Sequence, residues 1–402
     1  MNVYFHTFGC KANQYDTELV RQAFADQGAV VVDHPAAADL TVVNSCTVTH
    51  ESEAKLRRFV RHVSRASRAE TIVMGCAAAL DGGAIAKLPS VRAVVPNADP
   101  TMVLRAAGLS SPPVPLSAAR SGGTAGRHRA LLKIQDGCDE HCTFCATTLA
   151  RGENRSRGIP ELVEEARALA ERHAEIVLTG VHIGTYGRGQ PSLGSLLESL
   201  IDAVPQVRFR LSSIEATEVD DGLARLLIEA PRHVAAHLHA PLQSGSDRVL
   251  KRMGRHWYTA ASYRARIEWL AERLPVFGLG ADVIAGFPGE TDDDHHASLT
   301  LVKVLPFSYL HVFPFSVRPD APAAKLSGHL SPVVVNTRAR ELRELGEAKA
   351  RAYRAARVGQ RADGVVSGRL GGRVDVLTED YLSVYLPSDR WDGRPRLDLI
   401  VD

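Results

Sequence analysis

Three cysteines stand close together in one short run of the sequence, from Gln135 to Cys145. Cys138, Cys142 and Cys145 form a C-x3-C-x2-C triplet. Zinc motifs are usually paired C-x2-C units separated by a longer stretch, and this spacing does not have that form. Iron–sulfur clusters are held by cysteine thiolates, normally four of them. Because no fourth cysteine lies near the triplet in the sequence, the triplet predicts an iron–sulfur cluster with one iron left open for a small molecule.

The other three cysteines, Cys10, Cys46 and Cys76, each close a short apolar run. Runs of this length that are rich in β-branched and aromatic residues, with helical patterns between them, predict parallel strands of an α/β unit. Ligands of such sheets bind outside the carboxyl ends of the strands. Any one of these cysteines could be an ordinary buried core residue. Three of them at the same structural position predict a second cluster site.

Composition restricts the class of protein. The chain has 402 residues, of which 45% are hydrophobic and 23% charged, and its formal net charge is +2, as in ordinary globular proteins of two or three domains. It shows no basic amino-terminal segment followed by a long apolar stretch and no run of membrane-spanning length, so we expect no membrane association and a cytoplasmic location. In that reducing compartment six cysteines favour metal binding over disulfides.

Strand and helix patterns alternate along most of the chain, which predicts an α/β fold. We expect an amino-terminal parallel α/β domain over residues 1–107, a linker over 108–127, a partial (β/α)6 barrel over 128–333, a connecting helix over 334–357 and a small β-barrel over 358–402. The predicted strands of the large barrel are Ala130–Ile134, Glu175–Thr179, Arg208–Ser212, Val234–His239, Val276–Ile284 and Tyr309–Phe313. The cysteine triplet follows the first of these strands, where barrels place active-site loops.

Several runs closely resemble motifs of the radical S-adenosylmethionine (SAM) methylthiotransferases, and the resemblance covers essentially the whole chain. The runs are Gly9–Glu18, Lys133–Cys138, Thr179–His182, Arg210–Glu215, Pro241–Ser246 and Asp282–Thr291. The first two look most like the branch that modifies N6-threonylcarbamoyladenosine at position 37 of tRNA. The resemblance implies an amino-terminal cluster domain, a radical SAM barrel and a TRAM-type RNA-binding barrel.

The resemblance also implies a reaction and its cofactors. Cys138, Cys142 and Cys145 would bind the 4Fe-4S cluster that cleaves SAM, and Cys10, Cys46 and Cys76 would bind an auxiliary 4Fe-4S cluster. A methylthio group would be inserted at carbon 2 of the adenine, with no side chain acting as the catalyst itself. An aromatic carbon–hydrogen bond offers no acidic or basic group on which side chains could act, so a cofactor must supply the radical.

Five further residues are expected to contact SAM or the substrate: Phe144, Gly180, Glu215, Gln243 and Gly286. Each also has a simple structural explanation, which is loop packing for Phe144, a turn for the glycines, and a satisfied polar group for Glu215 and Gln243.

Basic residues suggest where RNA would bind. The predicted phosphate-binding residues are Arg151, Arg155, Arg157, Arg338, Arg343, Arg354 and Arg361. Charge runs are usually solvated faces, but local basic patches are also what binding to a phosphate backbone uses. The expected partners are a tRNA anticodon loop and an electron donor of the flavodoxin or ferredoxin type, and the sulfur source is unknown.

Three alternatives to this interpretation remain open at the level of sequence. The enzyme could act on isopentenyladenosine in tRNA, or it could modify a ribosomal protein, in which case it would not bind tRNA. The chain could also be an RNA-binding protein with two structural metal sites and no catalysis.

Overall fold

The computed structural model describes residues 1–47, 50–110, 128–189 and 191–402. Its strands are β1 (Asn2–Thr7), β2 (Val30–Val31), β3 (Leu40–Ser45), β4 (Glu70–Gly75), β5 (Val91–Pro96), β6 (Arg129–Lys133), β7 (Gln135–Asp136), β8 (Arg155–Ser156), β9 (Glu175–Thr179), β10 (Arg208–Leu211), β11 (His237–His239), β12 (Gly278–Ala285), β13 (Tyr309–Pro314), β14 (Arg361–Leu370), β15 (Arg373–Thr378), β16 (Ser383–Pro387) and β17 (Arg396–Ile400). Its α-helices are α1 (Lys11–Asp26), α2 (His50–Ala66), α3 (Cys76–Ile85), α4 (Pro100–Ala106), α5 (Thr147–Arg151), α6 (Ile159–Ala170), α7 (Leu193–Ala203), α8 (Asp221–Glu229), α9 (Asp247–Arg252), α10 (Ala260–Ala271), α11 (Asp292–Val304) and α12 (Pro332–Arg357).

These elements form two compact units. The first takes the described residues of Met1–Gly123, Gln135–Glu140 and Cys145–Arg155, and the second takes those of Thr124–Ile134, His141–Phe144 and Ser156–Asp402. Most of the predicted linker, residues 111–127, lies outside the described part of the chain. Among the helices of the described residues, none is both long and apolar enough to cross a membrane.

A five-stranded parallel sheet forms the centre of the first unit, in the order β2-β1-β3-β4-β5. Apolar side chains of α1 and α4, such as Phe24 and Val103, pack with the sheet in one core. Side chains of α2 and α3, such as Leu56 and Ile85, pack with it in another. Because β1, β3 and β4 are neighbours, their carboxyl ends lie side by side.

Six parallel strands form the barrel of the second unit in chain order: β6, β9, β10, β11, β12 and β13. Isolated bridges, Phe209 to Val234 and Ser213 to His239, join β10 to the segment that contains β11. The predicted partial (β/α)6 arrangement is therefore confirmed, with at least one helix between each strand of the barrel and the next.

The predicted strands of the barrel agree with the structure to within two residues at each end, except at the start of the fourth. The strand expected over Val234–His239 is regular only at His237–His239, because Val234 makes a single bridge. Helix α10 begins at Ala260, because the Thr259 side chain accepts a hydrogen bond from the Ser262 N–H and caps the helix.

The carboxyl-terminal part is a four-stranded antiparallel sheet in the order β16-β15-β14-β17. Valines such as Val366 and Val376 form its core. Two fully buried arginines of β10 hold this sheet against the barrel: Arg208 donates to the Leu377 carbonyl at 3.2 Å and Arg210 to the Thr378 carbonyl at 2.8 Å. The Glu175 carboxylate balances their charge and lies 2.6 Å from the Arg208 guanidinium and 3.0 Å from that of Arg210.

Candidate functional site

Cys10, Cys46 and Cys76 lie together at the carboxyl ends of three neighbouring strands. Cys10 precedes α1, Cys46 follows β3, and Cys76 is the first residue of α3. The Asn13 side-chain oxygen lies 3.7 Å from the Cys10 sulfur and 3.9 Å from the Cys76 sulfur. A Cβ added to Gly9 would lie 3.0 Å from the Cys46 sulfur and 2.7 Å from its Cβ, so only glycine lets the chain pass this close.

The surroundings of these thiols suit an anionic metal cluster. Burial raises the pKa of the Cys76 thiol to about 11, even though the Arg151 guanidinium opposes this by donating to its sulfur at 3.3 Å. All six cysteines are free thiols, so none is consumed in a disulfide. A buried cation beside thiol sulfurs offsets the negative charge of thiolate ligands. This donor set therefore fits an iron–sulfur cluster.

Two cysteines of the triplet, Cys138 and Cys145, belong to the first unit. The Glu140 N–H donates to the Cys138 sulfur at 3.4 Å, and the Thr147 N–H donates to the Cys145 sulfur at 3.3 Å. The Cys138 N–H donates to the Gly152 carbonyl at 3.0 Å, which holds this loop against the end of α5. Backbone N–H donors aimed at sulfur are one of the ways in which proteins tune iron–sulfur clusters.

Cys142 belongs to the second unit, where Arg255 donates to its sulfur at 3.3 Å. Arg255 also donates to the Tyr258 hydroxyl at 3.0 Å and lies over the Trp257 ring, 4.8 Å from its centroid. In each unit, a buried arginine thus donates to the sulfur of one cysteine.

The carboxylate of Glu215 fixes Arg255 in this position. One of its oxygens accepts from Arg255 and the other from the indole N–H of Trp257. Burial raises the pKa of Glu215 above its ordinary value, against the opposing charge of Arg255. The His182 Nε2 atom lies 4.0 Å from the same carboxylate. Glu215 therefore orients the guanidinium that faces the Cys142 sulfur.

The other residues expected near SAM lie at the carboxyl ends of barrel strands or in the triplet loop. Gly180 directly follows β9, and Gly286 directly follows β12. Gly286 has φ +75°, and a Cβ there would lie 2.6 Å from Val335 of α12, so close helix packing also requires this glycine. Gln243 has φ +61°, a conformation that is uncommon for residues other than glycine and that recurs at ligand sites. Phe144 is half-buried in the loop that carries Cys142.

A polar network occupies β11, β12 and β13. Asp282 lies 3.0 Å from His239 and 3.2 Å from His311, and the Tyr309 hydroxyl bonds to His239 at 3.0 Å. Burial would raise the pKa of Asp282, but hydrogen bonds from the two histidines hold it well below its usual range. The network lies beside the Arg210–Glu215 and Pro241–Ser246 motifs, because isolated bridges join Ser213 to His239 and Gln243 to Val283.

Two of the predicted RNA-binding arginines are buried in the structure. Arg151 is buried and pairs with Asp16 and Asp136, and Arg338 is buried and pairs with Glu290 and Asp292. A guanidinium enclosed by two carboxylates cannot present its donors to a phosphate, so these two belong to the interior of their units.

The remaining arginines of that set differ in exposure. Arg157 is half-buried, with ion pairs to Glu161 and Glu165, and the half-buried Arg354 donates to a backbone carbonyl. Three of the predicted arginines have exposed side chains: Arg155, Arg343 and Arg361.

Sequence reasoning missed two residues that contact the cysteines, Asn13 and Arg255, and two that lie beside the Glu215 carboxylate, Trp257 and His182. Asn13 and His182 lie inside recognised motifs and could have been singled out there. Arg255 and Trp257 lie outside those motifs, and Arg255 is 113 residues from Cys142 in the sequence. No spacing pattern connects residues so far apart.

Comparison with known proteins finds two family profiles and several relatives that match most of the chain. The profile described as uncharacterized protein family UPF0004 matches residues 2–96, and that of the radical SAM superfamily matches residues 132–302. The threonylcarbamoyladenosine tRNA methylthiotransferase MtaB of Bacillus subtilis is 36% identical over 87% of this chain and 81% of that protein. The protein of the same name from Aquifex aeolicus is 33% identical over 96% of both chains. Among solved structures, the radical S-adenosylmethionine methyltransferase TsrM of Kitasatospora setae covers 80% of this chain and 75% of that one at a TM-score of 0.61; at 13% identity it shows the shared fold alone.

Proposed function

Because this chain belongs to the radical SAM methylthiotransferase family, we propose that it inserts a methylthio group at carbon 2 of N6-threonylcarbamoyladenosine at position 37 of tRNA. The observation that carries the proposal is the presence of two groups of three cysteines, one at the carboxyl ends of β1, β3 and β4 and one in the segment that follows β7. The near full-length match to proteins named for this substrate supports the choice of branch.

The six cysteines divide between two clusters in this proposal. A radical SAM family member uses one 4Fe-4S cluster with SAM, and Cys138, Cys142 and Cys145 would hold it. Cys10, Cys46 and Cys76 would hold the second cluster. With SAM bound, the first cluster supplies the radical chemistry that an unactivated aromatic carbon requires.

Around these sites, protein side chains hold the cysteines and would orient SAM. Arg255 donates to the Cys142 sulfur and is itself held by Glu215 and Tyr258, so the cation cannot swing away. Gly180, Gln243 and Gly286 lie at the carboxyl edge of the barrel, where SAM would lie. The target adenine must be unstacked from the anticodon loop to reach this edge.

Exposed arginines, one of them beside an aromatic ring, would form the tRNA surface. Arg343 of α12 and Arg361, on β14 of the carboxyl-terminal sheet, are exposed cations. On that sheet, Arg369 lies 3.6 Å from the centroid of the Trp391 ring. Exposed cations beside aromatic rings bind both the phosphates and the bases of single-stranded RNA.

The wider setting of the reaction belongs to the same proposal. A flavodoxin or ferredoxin would supply the electron, and the enzyme would work in the cytoplasm, where its tRNA substrate is found. Arg155, which is exposed beside the end of α5, would add a phosphate contact in the first unit.

Nucleoside mass spectrometry of total tRNA tests the substrate. Cells without this gene should lose 2-methylthio-N6-threonylcarbamoyladenosine and accumulate its unthiolated precursor. The wild-type gene should restore the modification, Cys142→Ala should not, and Arg57→Gln, which removes a surface ion pair of the first unit, should restore it fully. Loss of the methylthiolated isopentenyladenosine instead would assign the enzyme to the other tRNA branch. An unchanged tRNA profile would contradict a tRNA substrate and favour the ribosomal-protein alternative.

Metal analysis tests the two clusters. After anaerobic reconstitution, the wild type should hold about twice the iron and sulfide of a variant that lacks either cysteine triplet. If Cys10→Ala, Cys46→Ala or Cys76→Ala left iron content and methylthio transfer intact, the second cluster would be ruled out. Zinc in place of iron, without cleavage of SAM, would show a structural metalloprotein.

A further inference from the structure

Arg151 makes four polar contacts inside the first unit. Its Nε atom donates to the Cys76 sulfur at 3.3 Å, and Nη1 donates to Asp136 at 2.8 Å. Its Nη2 atom donates to Asn13 at 2.6 Å and to Asp16 at 2.9 Å. A structural ion pair would be satisfied by the two carboxylates, yet here the Nε donor of the guanidinium also points at a thiol sulfur.

Asn13 extends these contacts to the other cysteines. Its side-chain nitrogen donates to the Phe8 carbonyl at 3.0 Å and to the Ser45 carbonyl at 2.9 Å, which fixes the amide orientation. Its oxygen therefore faces the sulfurs of Cys10 and Cys76. Ser45 directly precedes Cys46, so this one amide contacts the surroundings of all three thiols.

The same arginine also reaches the segment that leads into Cys138. Asp136, its partner at Nη1, accepts the Gly137 N–H at 2.8 Å. The Cys138 N–H donates to the carbonyl of Gly152, the residue that follows Arg151. Arg151 and its neighbour thus hold residues 136–138 while Nε holds Cys76.

From this geometry we propose that Arg151 is a positioning residue that sets the reduction potential of the cluster on Cys10, Cys46 and Cys76 and ties that site to the segment carrying Cys138. The inference rests on the proposed function only in that these three cysteines bind a cluster. Reduction adds negative charge to a cluster, and a cationic N–H donor to one of its sulfurs favours the reduced form. Burial strengthens the effect because the interaction is poorly screened by water.

The test uses a background in which only the amino-terminal site can hold iron. Cys138, Cys142 and Cys145 are all replaced by alanine, and Arg151→Gln and Arg151→Lys are compared in that background. The matched control is Arg57→Gln. Arg57 forms an ion pair at 2.6 Å with Asp81, which lies on α3, the helix that starts at Cys76. Reconstituted proteins are titrated with a reductant while the cluster is followed by electron paramagnetic resonance, and iron and sulfide are counted per chain.

Arg151→Gln removes both the charge and the Nε donor, so its reduction equilibrium should fall at least tenfold. For a one-electron couple this is a midpoint potential about 59 mV more negative. Arg151→Lys keeps the charge but loses the planar fork, so its potential should lie between those of the glutamine variant and the background. Arg57→Gln should have the potential of the background.

The potential is a property of the chains that hold a cluster, so a lower yield of folded protein does not imitate the effect. If loaded Arg151→Gln kept the potential of the Arg57→Gln control, the inference would be overturned whatever the iron yield, because Arg151 would then be purely structural. A background protein that binds no iron would overturn the cluster assignment in the proposed function as well.

Discussion

Replacing Gly137 by alanine should damage the Cys138 loop far more than the same change at a comparable glycine. Gly137 has φ +71°, and a Cβ there would lie 1.9 Å from the Glu153 carbonyl oxygen and 2.7 Å from that of Gly152. Gly28 has φ +77°, with no atom within 4 Å of its added Cβ. The two positions share the backbone conformation and differ in the space around it.

The magnitudes follow from these contacts. Placing an L-residue in the left-handed region costs roughly 1–2 kcal/mol at either position. At Gly137 the carbonyl of Glu153 must also retreat by about 1.1 Å, from 1.9 Å to the 3.0 Å below which real Cβ contacts essentially never occur. That movement disrupts the hydrogen bond from Cys138 to Gly152, which contributes about 0.5–1.5 kcal/mol. Gly137→Ala should therefore cost about 1.5–3.5 kcal/mol, against about 1–2 kcal/mol for Gly28→Ala.

Two measurements check this expectation. Urea unfolding of the apoproteins compares the free energies of unfolding. Iron per chain is then measured in a background that lacks Cys10, Cys46 and Cys76, so that only the triplet can hold a cluster. A difference of 1 kcal/mol changes an equilibrium constant about fivefold, so at limiting iron Gly137→Ala should hold less iron per chain than Gly28→Ala. Equal iron content and equal unfolding free energies in the two variants would refute the reasoning.

Three further predictions concern the second unit. Glu175→Gln should lower the free energy of unfolding by about 3–5 kcal/mol at neutral pH, because two buried arginines lose their counter-charge. Burial would raise the pKa of Glu175, but the neighbouring arginines hold it well below its usual range. The stability that the Glu175 carboxylate contributes is therefore complete above its unfolded pKa of about 4.3, and it is lost as the pH falls towards the folded pKa. The difference in unfolding free energy between wild type and variant, measured in urea, should narrow only below about pH 4.3. Gly278→Ala would place a Cβ 2.0 Å from the Asp380 carbonyl oxygen, and it should lower the free energy of unfolding in urea by about 1–3 kcal/mol. Gly368→Ala, whose added Cβ has its nearest contact at 3.5 Å, should have little effect. Equal losses in the two variants would contradict the docking of the carboxyl-terminal sheet. Trp257→Phe keeps an aromatic ring beside Arg255 but removes the donor to Glu215, and a cost of about 1–3 kcal/mol is expected; an unchanged unfolding free energy would show that this hydrogen bond contributes nothing.

The sequence alone was sufficient for the parts of the fold that depend on local pattern. Apolar runs separated by helical patterns predicted the parallel strands, and the structure has β1, β3 and β4 where those runs lie. The meeting of Cys10, Cys46 and Cys76 follows from the same pattern, because carboxyl ends of adjacent parallel strands share one edge of the sheet. The triplet was visible because its three cysteines are close in the chain.

Tertiary structure alone decided what the arginines do. In the sequence Arg151, Arg255, Arg338 and Arg343 are equivalent cations, and a basic run looks the same whether it faces water or carboxylates. The fold buries Arg151 and Arg338 in ion pairs, brings Arg255 to a cysteine 113 residues away and leaves Arg343 exposed. The physical reason is that the state of a charged side chain depends on long-range neighbours, because burying a charge without a partner costs too much free energy.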